Sequence, residues 1–259
     1  MRDSGIKIPI FIVPHGVNAK LFAPKRSLPN KQPKDKFIFL SVFGFQHRKN
    51  PEALLKAYWE EFSSTDNVLL IIKTNGYAAY ENERWIRKRI QAYKASLNLT
   101  KSTAPIQIHA KHLSPQALRK IYARAHAFVL PTRGEGVGLP FLEAMASRVP
   151  VITTAWGGQM DFITTNNSFL VDYKLQPPII GMKKKSSISR QFRNLFSEKG
   201  QLWAEVNMES LKAQMRAAYE DPKLCKQKAI RARRDALKWT WNRSGLSLKK
   251  AIEKTIRGK

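Results

Sequence analysis

The 259-residue chain has a single cysteine, few acids and no long apolar run. With Cys225 alone, an internal disulfide and a cysteine-rich metal site are both excluded. No apolar stretch approaches the roughly 20 residues that a membrane-spanning helix needs. The opening residues, MRDSGIKIPIFIVPHG, hold no long apolar region ahead of a small-residue cleavage site. A secretory leader is therefore not expected, and a reducing, cytoplasmic setting is. Acids are scarce: 19 Asp and Glu stand against 46 Lys and Arg, a formal charge of +27. Such a surface draws phosphates of any kind, on nucleotides, nucleic acids or anionic lipid headgroups. Peripheral contact with an anionic membrane is one expectation that follows. The excess is spread along the chain, with 21 basic residues and seven acids in residues 181–259. No RNA-recognition or zinc-finger pattern is present, so no specific nucleic-acid partner is expected.

What is present is a core-forming composition, 43% hydrophobic. Short apolar runs alternate with longer helical patterns. KFIFLSV (36–42), NVLLIIKT (67–74), PIQIHA (105–110), HAFVLP (126–131), VPVITT (149–154) and SFLVD (168–172) read as strands. Helices are predicted at 51–62 with Pro51 at the first position, at 81–97, and from Ser114-Pro115 with a capping serine. Strands without polar alternation, each followed by a helix, point to an α/β fold. The expected architecture is a doubly wound, Rossmann-like parallel sheet of about six strands, with ligands bound beyond the strands' carboxyl ends. Residues 173–205 lack periodicity and read as an exposed excursion. Helices return at 208–221, 222–239 and 243–257. Residues 1–35, with prolines at 9, 14, 24, 29 and 33, read as an extended connector, which leaves 36–259 as the folded domain.

One segment concentrates chemistry. RGEGVGLPFLEAMA (133–146) places Glu135 and Glu143 eight positions apart, separated by two glycines and a proline. Lying between a strand and a helix, the loop would offer the main-chain N–H groups of Gly136, Val137, Gly138 and Leu139 to an anion or a sugar hydroxyl. The two carboxylates suit vicinal hydroxyls, as on carbohydrate or ribose. The plainer reading of Glu143 is a first-turn acid favoured by the helix dipole.

The block resembles the E-x7-E segment of family 4 retaining glycosyltransferases, in the donor-binding, carboxyl-terminal half of their GT-B fold. IPIFIVPHGVNAKLFAP (8–24) resembles that family's interdomain connector, and FIFLSVFGFQHRKNPEALLKAY its first donor-domain strand and basic loop. LSPQALRKIYARAHAFVLPTRGEG resembles the helix and strand that precede the glutamates. The resemblance implies transfer of a hexosyl group from a nucleotide diphosphate sugar such as GDP-mannose or a UDP-hexose, with no metal or other cofactor. Glu135 matches the residue that holds the donor sugar, and Gly136–Leu139 the amides near sugar and diphosphate. Arg48 and Lys49 match the basic pair facing the diphosphate, where cations stabilise charge on the leaving group. Glu143 matches the ribose-binding acid. The loop His109, Ala110, Lys111, His112, Leu113 matches the one that receives the base.

Three positions depart from the family pattern. Gly44 stands where a second basic residue is common, Val137 where an aromatic is common, and Arg148 where a glycine usually closes the helix. The chain also begins at the connector. The expectation is a donor half whose acceptor-binding domain lies elsewhere, in another segment or another chain. A different class remains open to the residues alone: a non-catalytic basic scaffold on nucleic acid or membrane. Glycoside hydrolysis by the glutamate pair is the weaker enzymatic alternative. His15 is read as a turn residue, and Tyr58, Trp59, Trp85, Tyr93 and Tyr122 as core packing.

Overall fold

The computed structural model describes residues 5–24, 36–183, 188 and 200–257. Six strands form one parallel sheet: β1 (Phe37–Gly44), β2 (Val68–Asn75), β3 (Ile106–His109), β4 (Ala127–Leu130), β5 (Val151–Thr154) and β6 (Ser168–Val171). Their order is β3-β2-β1-β4-β5-β6, every pairing parallel. The order reverses between β1 and β4, which places a crevice at their carboxyl ends. The expected doubly wound α/β sheet of six strands is therefore present.

The strands read as apolar runs because both faces are covered. Phe39, Leu40, Leu70, Ile71, Phe128, Val129, Val151 and Ile152 are all buried. Helices α1 (Pro51–Glu61), α2 (Glu83–Ser96), α3 (Pro115–Tyr122) and α4 (Leu139–Ala146) fall between consecutive strands. Side-chain caps set several starts: Asn82 accepts from Trp85 N–H and Ser114 from Ala117 N–H. After the sheet come β7 (Tyr173–Gln176), α5 (Pro178–Lys183) and β8 (Trp203–Val206). Helices α6 (Met208–Glu220), α7 (Pro222–Ala236) and α8 (Trp241–Arg257) complete the chain.

Residues 173–205 differ from the aperiodic excursion expected. β7 and β8 pair antiparallel, Tyr173 with Val206 through Gln176 with Trp203. Four-residue strands separated by 26 residues carry too short an alternation to be read from sequence. Residues 184–187 and 189–199 of the excursion and residues 1–4 and 25–35 of the connector lie outside the described residues. Residues 5–24 form no helix or strand. They are held on the terminal helices by Val17 N–H donating to the Trp239 carbonyl at 2.9 Å and by His15 edge-on to Trp241. Phe22 meets Tyr122 edge-on, inside the core.

The end of α4 bears out one reading. Arg148 takes a left-handed conformation, φ 59°, where an L side chain is strained by about 1 kcal/mol or more. The Arg233 guanidinium donates to the Ala146 carbonyl there, so a second cation already serves this helix end. Burial holds Arg233 below its ordinary range, and the nearby Arg148 charge adds to that shift. Arg148→Gly removes both the strain and the repulsion. The unfolding midpoint should rise by about 2–4 °C, the equivalent of ~1 kcal/mol. A lower midpoint in thermal denaturation would show that the Arg148 side chain stabilises more than its backbone costs.

Candidate functional site

Two loops meet at the point where the strand order reverses. One leaves β1 and closes as a 3-10 turn over His47–Lys49. The other leaves β4 and ends at Gly138, the N-cap of α4. Their main chains are fastened together: Arg133 N–H donates to the Arg48 carbonyl at 2.8 Å, and the Thr132 hydroxyl to the same oxygen at 3.2 Å. Asn50, left-handed at φ 55°, ends the turn and caps α1 by accepting from Ala53 N–H.

The junction brings three of the predicted residues into contact. Lys49 Nζ lies 2.5 Å from Glu135 Oε1, and Arg48 Nη1 lies 3.2 Å from Glu135 Oε2. Arg48 also donates to the Gly134 carbonyl. The Glu135 side chain is 6% exposed and that of Lys49 11%, while Arg48 reaches solvent at 29%. Burial holds the Lys49 ammonium below its ordinary range; Glu135 opposes that shift and Arg48 adds to it. Sequence reasoning gave the acid and the cations separate parts of a ligand. In this structure the acid pairs with both cations, and the cluster keeps one net positive charge.

Beside the pair lies a row of open donors. Among the described residues, none accepts a hydrogen bond from the main-chain N–H of Gly136, Val137, Gly138 or Leu139. Gly138 takes φ 81°, and a Cβ there would lie 2.5 Å from the Phe141 ring, so the bend into α4 requires glycine. The loop is backed by the turn after β5. Gly158 N–H donates to the Glu135 carbonyl at 2.8 Å, and a Cβ on Gly158 would fall 1.9 Å from the Gly136 oxygen. Gln159 Nε2 fixes that turn from within, donating to the carbonyls of Thr154 and Trp156.

Glu143 sits one turn into α4 and accepts from the buried Tyr122 hydroxyl at 2.9 Å. Burial pushes its carboxyl up to about 7, against the opposing effect of that hydrogen bond. The predicted base loop begins where β3 ends. His109 is the last residue of β3 and Lys111 is exposed. One strand, β2, separates β3 from β1. At ~4.8 Å per strand, His109 lies roughly 10 Å across the sheet from Val42, through Lys73 of β2. Ala110 and Leu113 are half-buried alongside it. Among the described residues, no three His, Cys, Asp or Glu side chains gather as a metal site would require.

Residues 24–177 match the family described as glycosyl transferases group 1. The chain belongs to this family. Curated relatives include a sucrose synthase of Melioribacter roseus, 32% identical over 48% of the chain and 16% of the relative. Another is a D-inositol 3-phosphate glycosyltransferase of Acidothermus cellulolyticus, 27% identical over 62% of the chain and 36% of the relative. The chain thus spans about a third or less of the curated relatives it matches. Among solved structures, a sucrose-phosphate synthase from Thermosynechococcus elongatus superposes with TM-score 0.67 at 22% identity, covering 95% of this chain and 53% of that one. The C-terminal domain of a group 1 glycosyl transferase from Francisella tularensis gives 0.60 at 16% identity, covering 86% and 97%. HepE of Anabaena, solved in complex with UDP and glucose, gives 0.63 at 12% identity, covering 92% and 55%. The fold of this glycosyl transferase chain is accordingly that of one half of its larger structural neighbours.

Several residues that matter to the cleft escaped sequence reasoning. Arg133 donates to Glu205 through Nε at 2.7 Å and Nη2 at 3.1 Å, and to the His47 carbonyl at 2.5 Å. Glu52 lies beneath, its Oε1 3.5 Å from His47 Nδ1 and its Oε2 3.7 Å from Arg133 Nη1. Burial alone would raise the Glu52 carboxyl, but His47 and Arg133 outweigh it and the net shift is downward. Ala204 N–H donates to the Arg133 carbonyl, so the unforeseen β7–β8 hairpin holds the Glu135 loop in place. Tyr122, read as core packing, does pack there and also holds Glu143. His126, without an assigned role, accepts from Ile38 N–H at 2.8 Å.

The Glu143 shift has a testable sign. Its folded value lies above the ordinary 4.5, so the neutral form is favoured on folding. That contribution is fully present below about pH 4.5 and is lost as pH rises through about 7. Glu143→Gln keeps an acceptor for Tyr122 and cannot ionise. Its unfolding midpoint should match the parent near pH 4.5 and exceed it by several degrees at pH 8. A pH-independent difference would refute the buried-carboxyl assignment.

Proposed function

We propose that the cleft at the β1–β4 switch point binds a nucleotide diphosphate sugar for retaining, metal-independent transfer of a hexosyl group, of mannose or glucose type. One observation supports this reading above the others: Arg48, Lys49 and Glu135 converge beside four main-chain amides that donate to none of the described residues. Arg48 and Lys49 serve the diphosphate and stabilise the charge that grows on it as the anomeric bond breaks. Glu135 gives up part of its pairing to orient the sugar hydroxyls. The amides of Gly136, Val137, Gly138 and Leu139 hold the sugar–phosphate junction. Glu143 anchors the ribose, and the segment His109–Leu113 receives the base.

In such a reaction the acceptor hydroxyl attacks the anomeric carbon from the face the diphosphate leaves. A second domain or chain must present that acceptor, since this chain covers about half of its longer structural neighbours. The isolated chain should therefore bind donors and transfer sugar poorly. Titration calorimetry with GDP-mannose, UDP-glucose, GDP and UDP tests the reading. Saturable binding of at least one is expected, and no binding by any, in a folded sample, would reject it.

A second reading keeps the fold and uses the basic surface as a scaffold on anionic membrane. It is favoured by α8, where Trp241, Leu248, Ile252 and Ile256 are exposed beside Lys249, Lys250 and Lys254. None of the described helices is long and apolar enough to cross a membrane. Steeply salt-dependent vesicle binding with no response to sugar nucleotides would select this reading instead.

A further inference from the structure

Tyr77 occupies the place that Gly44 vacates. Gly44 ends β1 and Asn75 ends β2, paired side by side in the parallel register. Two residues on, the Tyr77 ring turns back over β1, so that a Cβ on Gly44 would lie 2.1 Å from Tyr77 Oη and 2.8 Å from Cζ. Any other residue at position 44 would displace the phenol.

The loop that carries Tyr77 is built to hold it there. Glu81, 4% exposed, accepts through Oε2 from Tyr77 N–H at 2.7 Å and from Ala78 N–H at 3.3 Å. Gly76 leaves room for Glu81 itself, since a Cβ would meet the Glu81 Cβ at 2.2 Å. The phenol is close enough to the site to feel the charges of both Arg48 and Glu135. Its residue is nevertheless 48% exposed, a high value for a ring positioned by so many constraints. Burial raises the hydroxyl above its ordinary range, Arg48 working against the shift and Glu135 and Glu81 with it. The group is therefore protonated at neutral pH, a hydrogen-bond donor.

We infer that Tyr77 is a donor-site residue whose hydroxyl binds the terminal phosphate of the nucleoside diphosphate, beside the Arg48–Lys49 cations. The inference rests on the proposed donor cleft. Position separates it from a role at the base: Tyr77 Oη stands over the end of β1, while the base loop follows β3, two strands away. A neutral donor here would add direction without adding charge to a site that already holds two cations.

Tyr77→Phe isolates the hydroxyl and keeps the ring. Calorimetry should show affinity for GDP or UDP, whichever the parent binds, reduced about tenfold or more, the loss of a single hydrogen bond to a charged group. Affinity for the matching monophosphate should change by less than half of that factor. Gly44→Ala, which drives a methyl into the phenol, should reproduce the loss. Unchanged diphosphate affinity in Tyr77→Phe would overturn the inference, as would an equal loss for mono- and diphosphate. Failure of the donor reading is a separate result: the parent chain itself would bind neither diphosphate.

Discussion

Replacing Lys49 with alanine should lower affinity for the nucleoside diphosphate by about ten- to a hundredfold and leave the nucleoside itself nearly unaffected. The magnitude follows from a charge-assisted hydrogen bond of ~1.5–3 kcal/mol in a partly buried site. Lys49 is held on a short 3-10 turn, 11% exposed, with Glu135 as its ion-pair partner at 2.5 Å. A ligand phosphate must compete with that carboxylate, so part of the binding energy is spent separating the pair. Glu135→Gln should act in the opposite sense on free diphosphate, by releasing Lys49 and Arg48, while weakening discrimination for the sugar-bearing donor. Calorimetric titration of the two variants side by side checks both signs. Lys49→Ala binding diphosphate as the parent does would remove Lys49 from the site.

The largest loss of stability is expected from Arg133→Ala. Arg133 is 5% exposed and touches three groups: the His47 carbonyl, the Glu205 carboxylate and, at 3.7 Å, Glu52. Removing it leaves two carboxylates short of a cation and takes away the side-chain link from the cleft to Glu205 on β8, while the main-chain bond from Ala204 N–H to the residue 133 carbonyl stays. Breaking a buried ion pair by deleting one partner destabilises by ~3–5 kcal/mol, here about 10 °C in the unfolding midpoint. Asn50 and Gln176 also reach Glu205, at 3.3 Å each, and they temper the effect on that side. Glu205→Gln, which keeps the acceptor oxygen, should lose less than half as much. A midpoint within a degree or two of the parent for Arg133→Ala would show the network to be ornamental.

Much of the sheet was legible because parallel strands are buried on both faces. Runs such as FIFLSV and VLLII carry no polar alternation, and all six strands lie where expected, four within the expected stretch while β1 runs on to Gly44 and β2 to Asn75. The caps at Ser114 and Pro51 were readable for the same local reason. Arg148 took the left-handed cap inferred from the family pattern, although nothing in its own residue type asks for it. What escaped notice was non-local. Arg133 and Glu205 lie 72 positions apart, and no periodicity links them. Glu52 reads as an ordinary first-turn acid on α1, yet it anchors a buried pair with His47. Tyr77 stands in a loop with no pattern, and only the fold shows that its ring fills the space above Gly44.

The candidate site was half legible in the same sense. Glu135, Glu143, Arg48 and Lys49 were named from local motifs, and the fold brings Arg48, Lys49 and Glu135 together because β1 and β4 are neighbours at the strand-order reversal. Their pairing with one another was not foreseeable, since it depends on two loops being fastened by the Arg133 and Thr132 bonds to the Arg48 carbonyl. Paired, the two cations and one carboxylate keep one net positive charge; with a phosphate bound, Lys49 would exchange one anion for another.

A crystal structure of the chain with bound GDP or UDP tests the central claim most directly. The diphosphate should lie against Lys49, Arg48 and the amides of Gly136–Leu139, with the ribose hydroxyls on Glu143 and the Lys49–Glu135 separation opened beyond 2.5 Å. A nucleotide seated elsewhere on the basic surface, with that pair intact, would contradict it.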